Sequence, residues 1–443
     1  MGERYDLVVR GGTVFTPSGL AATDLGVTGG KIAAFGDLGA AEAGETLDAS
    51  GLTVLPGVID SQVHFREPGL EHKEDIAHGT KAAVMGGVTT IFEMPNTSPL
   101  TLYQADLEDK LIRSQGRAWC DHAYFVGASE ENVDELAMLE RLPGCAGVKV
   151  FMGSSTGSLL VDKDAVLAQV LANGRRRVAV HAEDEDRLRE RQHIAKQAGH
   201  PRAHPEWRDV ECALRATKRI VKLGREAGRP VHVLHITSAE EMAFLAQHKD
   251  VATVETTLNH LTMAAPECYE RLGAKAQMNP PVRDAGHRDA LWRAIADGTV
   301  DVIGSDHAPH TLEEKQRDYP ASPSGMPGVQ TVLPLLLDHM HQGRLTLERL
   351  VDLTSAGPQR IFGIAGKGRI ALGWDADLAL VDLKAERTIT DAWIASKCGW
   401  TPFDGMSVTG WPIATVVRGH VAMREDEVLA TPIGAPARFW STL

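Results

Sequence analysis

Four polar side chains stand at alternate positions directly after a short apolar run early in the chain. They are Asp60, Gln62, His64 and Arg66. Side chains two residues apart on extended backbone point to the same face, so these four would converge on one pocket. An imidazole can bind a metal ion, and a guanidinium is a planar fork for a carboxylate or a phosphate. Taken alone, the same pattern also fits a strand followed by a solvated loop.

The pattern of an apolar run followed by a polar side chain recurs along the chain. Its further members are Asn96, His181, His235 and Asp306, together with Lys149 inside the apolar run GVKVF. A single histidine at a strand end is more often an ordinary hydrogen-bonded residue than a metal ligand. Lysine, however, is rarely buried unless it is neutralised or paired, so Lys149 is harder to explain as a structural residue.

Three histidines, one aspartate and one interior lysine on separate strands form a set that suits zinc or a similar divalent ion. Lys149 is no ligand as an ammonium, but a carbamate formed with carbon dioxide would be an anionic ligand with two oxygens. A bound ion would lower the pKa of water and polarise a carbonyl group. Asp306 would then take the proton from the water and pass it to a leaving nitrogen. The set predicts metal-assisted hydrolysis.

Such a set requires a fold that brings the ends of many strands to one face. Between residues 54 and 365, strand-like runs alternate with helical stretches such as Lys73–Met85 and Glu211–Ala227, which predicts a (β/α)8 TIM-like barrel. In that fold the active site lies at the carboxyl ends of the strands. The strand candidates are Val54–Asp60, Thr89–Glu93, Trp119–Tyr124, Gly147–Phe151, Val178–His181, Val231–His235, Val251–Thr256 and Val300–Asp306.

Both ends of the chain have a different pattern from the middle. Residues 1–53 and 366–443 carry short apolar runs separated by glycine pairs, which indicate hairpins. Each end alone is too small for a hydrophobic core, and chain termini often meet. We therefore expect one small β-sandwich domain built from both termini, beside a barrel that spans residues 54–365.

The composition narrows the class of partner. The 443 residues carry a net charge of −13, which argues against a nucleic-acid partner but not against a small anionic substrate. The five cysteines are scattered and include no C-x-x-C pair, as expected for a reducing compartment without a disulfide framework. There is no apolar run of signal-peptide or membrane-span length. We expect a cytoplasmic protein without a membrane partner.

Several longer segments resemble the amidohydrolase superfamily and, within it, the dihydroorotase branch of the cyclic amidases. They include PGVIDSQVHFREPG, GVKVFMG, VAVHAED, VHVLHITSAEE and PSGMPGVQT, and the similarity extends over nearly the whole chain. The pieces REPG, MPNT, MNPPVR and DHAPH favour dihydroorotase over dihydropyrimidinase and allantoinase.

The resemblance implies a role for each candidate. It implies metal binding by His64, Lys149 as a carbamate, His181, His235 and Asp306, with Asp306 also the general acid and base. It implies that Arg66 binds a substrate carboxylate, helped by Asn96, His310 and, more weakly, Asn279. The implied reaction is the reversible, zinc-dependent hydrolysis of dihydroorotate to N-carbamoyl-aspartate in pyrimidine biosynthesis. A homodimer, and association with another pyrimidine-pathway enzyme, are also expected from the resemblance.

One residue departs from the family pattern. The family has His-x-His where this chain has Gln62-Val63-His64, and an amide oxygen is a poor substitute for imidazole at a zinc site. This predicts one well-bound ion and a weak or absent second ion. Alternatives therefore stay open: an amidase for another cyclic ureide or imide, a weakly active or inactive homologue that serves as a structural partner, or a different reaction such as deamination.

Overall fold

The computed structural model describes residues 4–155, 157–429 and 431–443. The N-terminal part of the chain forms short strands joined by turns, and one of the two glycine pairs makes a hairpin. Gly29 and Gly30, with φ angles of 60° and 74°, form a two-residue turn between paired strands. The strands are β1 (Arg4–Arg10), β2 (Thr13–Thr16), β3 (Gly19–Ala22), β4 (Asp24–Thr28), β5 (Lys31–Gly36), β6 (Glu42–Asp48) and β7 (Thr53–Pro56).

Eight parallel strands follow, each paired with its neighbour in chain order. They are β8 (Val58–Val63), β9 (Val88–Glu93), β10 (Asp121–Gly127), β11 (Cys145–Phe151), β12 (Val178–His181), β13 (Val231–Val233), β14 (Ala252–Thr257) and β15 (Val302–Gly304). The two outer strands meet beyond their ends, where the backbone N–H of His64 donates to the carbonyl of His307 over 2.7 Å. The predicted eight-stranded barrel is confirmed.

Helices lie between the barrel strands, and both helical stretches named from the sequence, Lys73–Met85 and Glu211–Ala227, are present. The longest runs from Val210 to Ala227, begins at the side-chain cap of Asp209 and ends at Gly228 in the left-handed conformation. The helices are α1 (Ile76–Met85), α2 (Gln104–Ser114), α3 (Leu136–Leu139), α4 (Asp164–Ala172), α5 (Glu185–Ala198), α6 (His204–Trp207), α7 (Val210–Ala227), α8 (Ala239–Leu245), α9 (Leu258–Thr262), α10 (Glu267–Leu272), α11 (Ala285–Ala296), α12 (Leu312–Lys315), α13 (Val332–His341), α14 (Leu347–Val351) and α15 (Gly357–Phe362). Among the described residues, no helix is long and apolar enough to cross a membrane.

The C-terminal strands complete a second sheet with strands from the N-terminal part. These strands are β16 (Leu378–Thr388), β17 (Ser407–Val417), β18 (His420–Arg424) and β19 (Glu427–Val428). They form a seven-stranded sheet in the order β19-β18-β17-β16-β7-β2-β3, which faces the four-stranded sheet β5-β4-β1-β6. Leu7 and Val27 of the smaller sheet share one core with Leu378 and Val416 of the larger sheet. Both termini therefore build the β-domain, as expected.

The segment predicted as one strand, Val54–Asp60, is two strands in the structure. β7 pairs with β16 in the seven-stranded sheet, whereas β8 begins the barrel at Val58. The chain bends at Gly57, whose N–H donates to Asp377 O over 2.9 Å and where a Cβ would lie 2.2 Å from Oγ1 of Thr89. A side chain does not fit there, so this glycine allows the polar row at the end of β8 to face the barrel.

Candidate active site

A cavity lies at the carboxyl ends of the barrel strands, where a (β/α)8 barrel carries its active site. Most residues singled out from the sequence line this cavity: Gln62, His64, Arg66, Asn96, His181, His235, Asn279 and Asp306. Asp60 is not among them, and its carboxylate accepts from the backbone N–H of Ser305 over 3.1 Å. Lys149 and His310 contact residues that line the cavity. The Lys149 ammonium is 4.5 Å from the centre of the Phe151 ring, and Phe151 lines the cavity. His310 Nε2 is 3.3 Å from the Arg66 guanidinium.

His181, the last residue of β12, and His235, which follows β13, turn ring nitrogens toward each other. Nδ1 of His181 lies 3.0 Å from Nε2 of His235. The other nitrogen of His181, Nε2, is 3.0 Å from a carboxylate oxygen of Glu183, which keeps the ring hydrogen on Nε2 and leaves Nδ1 with a free lone pair. Arg208 holds Glu183 in turn, with Nε 3.1 Å from both carboxylate oxygens. The pair is oriented as metal-binding imidazoles are in proteins.

Lys149 lies next to this pair inside the barrel, with 1% of its surface exposed. Burial lowers the pKa of its ammonium to about 7, although the nearby carboxylates of Asp306 and Glu255 act in the opposite direction. A lysine that is partly neutral at pH 7 has the free amine that reacts with carbon dioxide. Two imidazole nitrogens and this amine, once carbamylated, form a donor set that fits a divalent ion such as zinc.

Gln62 and His64, at the end of the first barrel strand, contact Asp306. Gln62 Nε2 donates to Asp306 Oδ1 over 3.1 Å, and His64 Nε2 is 3.2 Å from the same oxygen. The Nδ1 atom of His64 lies 2.7 Å from Oδ1 of Asn96, so Asn96 orients this ring. The amide oxygen of Gln62 is buried and has no hydrogen-bond partner among the residues that the structure describes. At this end of the cavity the donor set fits a metal ion poorly.

The backbone is strained at three of these residues. Arg66, His235 and Asp306 have φ angles of 66°, 38° and 47°, in the left-handed region that non-glycine residues rarely adopt. Each such residue costs about 1–3 kcal/mol, and such residues cluster at functional sites. The strain directs three side chains from different strand ends into one cavity.

Among the described residues, one group of three side chains of the types His, Cys, Asp or Glu is close enough to share a metal ion. Its ligand atoms lie within 4.8 Å of one another, and the group lies outside the cavity: Glu74, Asp75 and His78. Asp75 caps α1 by accepting from the backbone N–H of His78, and its carboxylate is 3.2 Å from the Lys397 ammonium. Glu74 accepts from His307 over 3.3 Å. These contacts give the group a structural role. Four of the predicted ligands meet in two pairs, His181 with His235 and His64 with Asp306.

Sequence reasoning missed the carboxylates that support these ligands. Glu183 stands two residues after His181 in VAVHAED, so the alternate spacing was a usable signal. Arg208 binds Glu183 from another segment of the chain, and nothing in the sequence around either residue indicated this contact. Glu255 lies inside β14, where it accepts from the Ser61 hydroxyl over 3.0 Å and where burial raises its pKa to about 8.

Comparison with known proteins agrees with this geometry. The model of the amidohydrolase family matches residues 53–422. The chain belongs to the amidohydrolase family. It is 40% identical to a dihydroorotase of Halobacterium salinarum, over 85% of this chain and 88% of that protein. It is 34% identical to an allantoinase of Deinococcus radiodurans, over 97% of this chain and 98% of that protein.

Solved structures of the same family share the whole architecture. The L-hydantoinase of Arthrobacter aurescens superposes with a TM-score of 0.93 at 30% identity, over 98% of this chain and 99% of that one. The amidohydrolase resemblance derived from the sequence motifs is confirmed. These relatives are named for different substrates, so their names alone do not identify the ring that this protein opens. The residues of the cavity have to decide between the candidate rings.

Proposed function

We propose that this amidohydrolase is a zinc-dependent dihydroorotase, which hydrolyses the ring amide of dihydroorotate to N-carbamoyl-aspartate and catalyses the reverse reaction. The observation that carries the proposal is the buried guanidinium of Arg66 in the same cavity as the strand-end histidines and Asp306. Burial lowers the pKa of Arg66 to about 10, so the group stays charged at neutral pH. A buried cation facing a cavity favours a substrate with a carboxylate.

Charged side chains of both signs surround this guanidinium, and the carboxylates of Asp306, Glu93, Glu314 and Glu74 each act to raise its pKa. Lys73 Nζ lies 3.1 Å from Glu314 Oε1 and 3.2 Å from Nδ1 of His310. The buried ammonium of Lys315 donates to backbone carbonyls, including that of Gly325 at 2.9 Å. Burial lowers the pKa of Lys315 to about 7, so its amine is only partly charged at neutral pH. The charge of Arg66 itself favours an anionic ring such as dihydroorotate over the uncharged rings of hydantoins.

The relatives support the proposal and also supply its alternative. Several of the most similar proteins are dihydroorotases, at 33–40% identity. Allantoinases and hydantoinases are similar over the whole chain as well. The second candidate is therefore an amidase for another cyclic ureide or imide. Those rings make no use of a buried guanidinium unless they carry an anionic group.

The proposed mechanism gives each residue a task. His181, His235 and the Lys149 carbamate would hold the zinc ion, with His64 and Asp306 at the weaker first-strand end. The ion would supply a water of lowered pKa and a polarised carbonyl. Arg66, with Asn96, His310 and Asn279, would bind the substrate and fix the scissile amide near Asp306.

Asp306 is suited to move the proton. As a carboxylate it takes a proton from the attacking water while the bond between the water oxygen and the ring carbonyl carbon forms. It then gives that proton to the ring nitrogen as the carbon–nitrogen bond breaks. Gln62 holds its Oδ1, which restricts the carboxylate to one orientation. We further propose that Lys149 is carbamylated. We also propose that the protein is a cytoplasmic homodimer that contacts another pyrimidine-pathway enzyme.

The test compares two substrates that differ by one group. Dihydroorotate and dihydrouracil share the ring, and dihydrouracil lacks the carboxylate. With zinc and bicarbonate supplied, we expect kcat/KM for dihydroorotate to exceed that for dihydrouracil by at least about 30-fold, as about 2 kcal/mol of carboxylate binding requires. Equal values, or a preference for the uncharged ring, would favour the alternative amidase.

A further inference from the structure

A buried histidine outside the predicted set contacts one of the substrate-binding candidates. We infer that His204 is a positioning residue that fixes the side-chain amide of Asn279, so that Asn279 donates a hydrogen bond to a substrate oxygen and does not accept one from a ring N–H. This inference rests on the proposed function, because it assigns the contact that Asn279 makes in the same cavity.

The hydrogen-bond pattern determines which nitrogen of His204 carries the hydrogen. Nε2 lies 3.1 Å from the backbone carbonyl of Met278, which can only accept. Nε2 is therefore an N–H donor. On the opposite side of the ring, Nδ1 lies 3.2 Å from the hydroxyl of Tyr319, which donates to it. Burial lowers the pKa of His204 to about 3, in keeping with a neutral ring.

This assignment fixes the orientation of the Asn279 amide. The Asn279 atom 2.9 Å from Nε2 of His204 has to be an acceptor, hence the oxygen Oδ1. The Nδ2 group then lies on the other side, 3.4 Å from Oγ of Ser155. Both Asn279 and Ser155 line the cavity, so the amide offers its N–H there. The matching substrate group is a carboxylate or carbonyl oxygen.

The surroundings of His204 keep it in this orientation. The side chain is fully buried at the start of α6, between the rings of Trp207 and Tyr319, whose centres lie 5.7 Å and 5.8 Å from its own. Tyr319 and Asn279 belong to different segments of the chain. His204 thus links the segment after α12 to the cavity wall.

Two substitutions at position 279 test the donor role. Asn279→Ala removes the amide, and Asn279→Asp keeps the oxygen near His204 but replaces the N–H donor with a second, negatively charged oxygen. We expect Asn279→Ala to raise KM for dihydroorotate by about 10-fold. We expect Asn279→Asp to raise it further, because two anions then face each other. If Asn279→Asp is closer to wild type than Asn279→Ala, the amide accepts from the substrate and the inference is wrong.

Variants at position 204 test the positioning role. We expect His204→Phe to raise KM more than it changes kcat, and to add nothing in the Asn279→Ala background. His204→Gln, which can retain an N–H donor, should recover much of the loss. Full additivity of His204→Phe with Asn279→Ala would overturn the inference. If His204→Phe does not fold, the comparison of Asn279→Asp with Asn279→Ala still tests whether Asn279 donates a hydrogen bond to the substrate.

Failure of the proposed function has a different signature. In that case the wild-type protein itself does not open dihydroorotate. The same variants are then measured with the cyclic amide that it does open, and the same order of KM values is expected, because ring carbonyl oxygens also accept hydrogen bonds.

Discussion

Gln62 donates a hydrogen bond from Nε2 to Oδ1 of Asp306 over 3.1 Å, and within the described part of the chain the amide oxygen of Gln62 has no hydrogen-bond partner. An amide thus binds the carboxylate at the position where the sequence resemblance led us to expect a second imidazole. A donated N–H repels a metal ion at the same position, and the remaining amide oxygen is a weak ligand for zinc. Gln62 therefore affects how many metal ions the protein binds.

We expect the wild-type protein to retain one zinc ion per chain after dialysis, and Gln62→His to retain two. Histidine at this position adds an imidazole beside His64 and removes the amide N–H from Asp306. The control is Gln62→Leu, which offers neither group and should retain one ion. Elemental analysis of zinc per chain is the measurement. Two tightly held ions in the wild-type protein would contradict this interpretation of Gln62.

Lys149→Ala should remove bound zinc and activity together, because it eliminates the amine that becomes the carbamate ligand. Lys163→Ala is the matched control, since the Lys163 side chain is 68% exposed and pairs with a surface glutamate, Glu130. Zinc content and turnover are measured on the same samples. If Lys149→Ala keeps its full zinc content, the carbamate is not a ligand.

Arg66→Met should weaken carboxylated substrates selectively. The methionine keeps apolar bulk and removes the charged fork, and the loss of such a contact in a desolvated site costs about 2–5 kcal/mol. We expect a large rise in KM for dihydroorotate and a small one for dihydrouracil. A similar rise for both rings would show that Arg66 does not bind the carboxylate.

The barrel could be predicted, and the candidate ligands could be placed at its strand ends, because each depends on a local pattern. Apolar runs alternate with helical stretches, and His64, His181 and His235 each follow such a run. The break at Gly57 was missed because it depends on contact with Thr89 and Asp377, in other parts of the chain.

The supporting contacts could not be predicted for the same reason. His204 binds Asn279 across 75 residues, and neither side chain carries a local sign of the other. Arg208 stands 25 residues after Glu183 and was equally invisible. Alternate spacing could have revealed Glu183, but nothing local indicated the residue that neutralises it.

Lys367 stabilises a buried acidic cluster at the opposite end of the barrel. Its ammonium lies 2.6 Å from Asp121, 2.6 Å from Asp377 and 3.3 Å from Asp375. We expect Lys367→Met to lower the free energy of unfolding by about 3–5 kcal/mol, because it leaves buried carboxylates unpaired. Urea denaturation at pH 7 measures this difference.

The control for Lys367→Met removes an exposed partner of the same cluster. Lys31, whose side chain is 44% exposed, also pairs with Asp375 over 2.7 Å. Lys31→Met should lower the free energy of unfolding by less than about 1 kcal/mol. Equal effects of the two substitutions would mean that burial of the Lys367 cluster is not what stabilises the protein.

The contribution of Glu183 to stability should depend on pH. Burial alone would raise the pKa of Glu183, but Arg208 and His181 more than offset it and lower the pKa from 4.5 to about 2. The stabilisation is therefore fully present above pH 4.5 and is lost as the pH falls toward 2.

Arg208→Gln should destabilise the protein most at neutral pH, by about 3–5 kcal/mol, because it leaves the Glu183 carboxylate buried and unpaired. The difference from wild type should shrink as the pH falls below 4.5. Arg189→Gln, at a side chain 63% exposed, is the control and should have a small effect. A difference for Arg208→Gln that is constant over this pH range would contradict the assignment to Glu183.

The most direct measurement is the hydrolysis of dihydroorotate by the purified protein supplied with zinc and bicarbonate, with N-carbamoyl-aspartate quantified as the product. We predict turnover at an enzyme-like rate in both directions, and its loss in Lys149→Ala. No turnover of dihydroorotate by protein that demonstrably holds zinc would contradict the proposed function, and would leave another cyclic amide or a non-catalytic role.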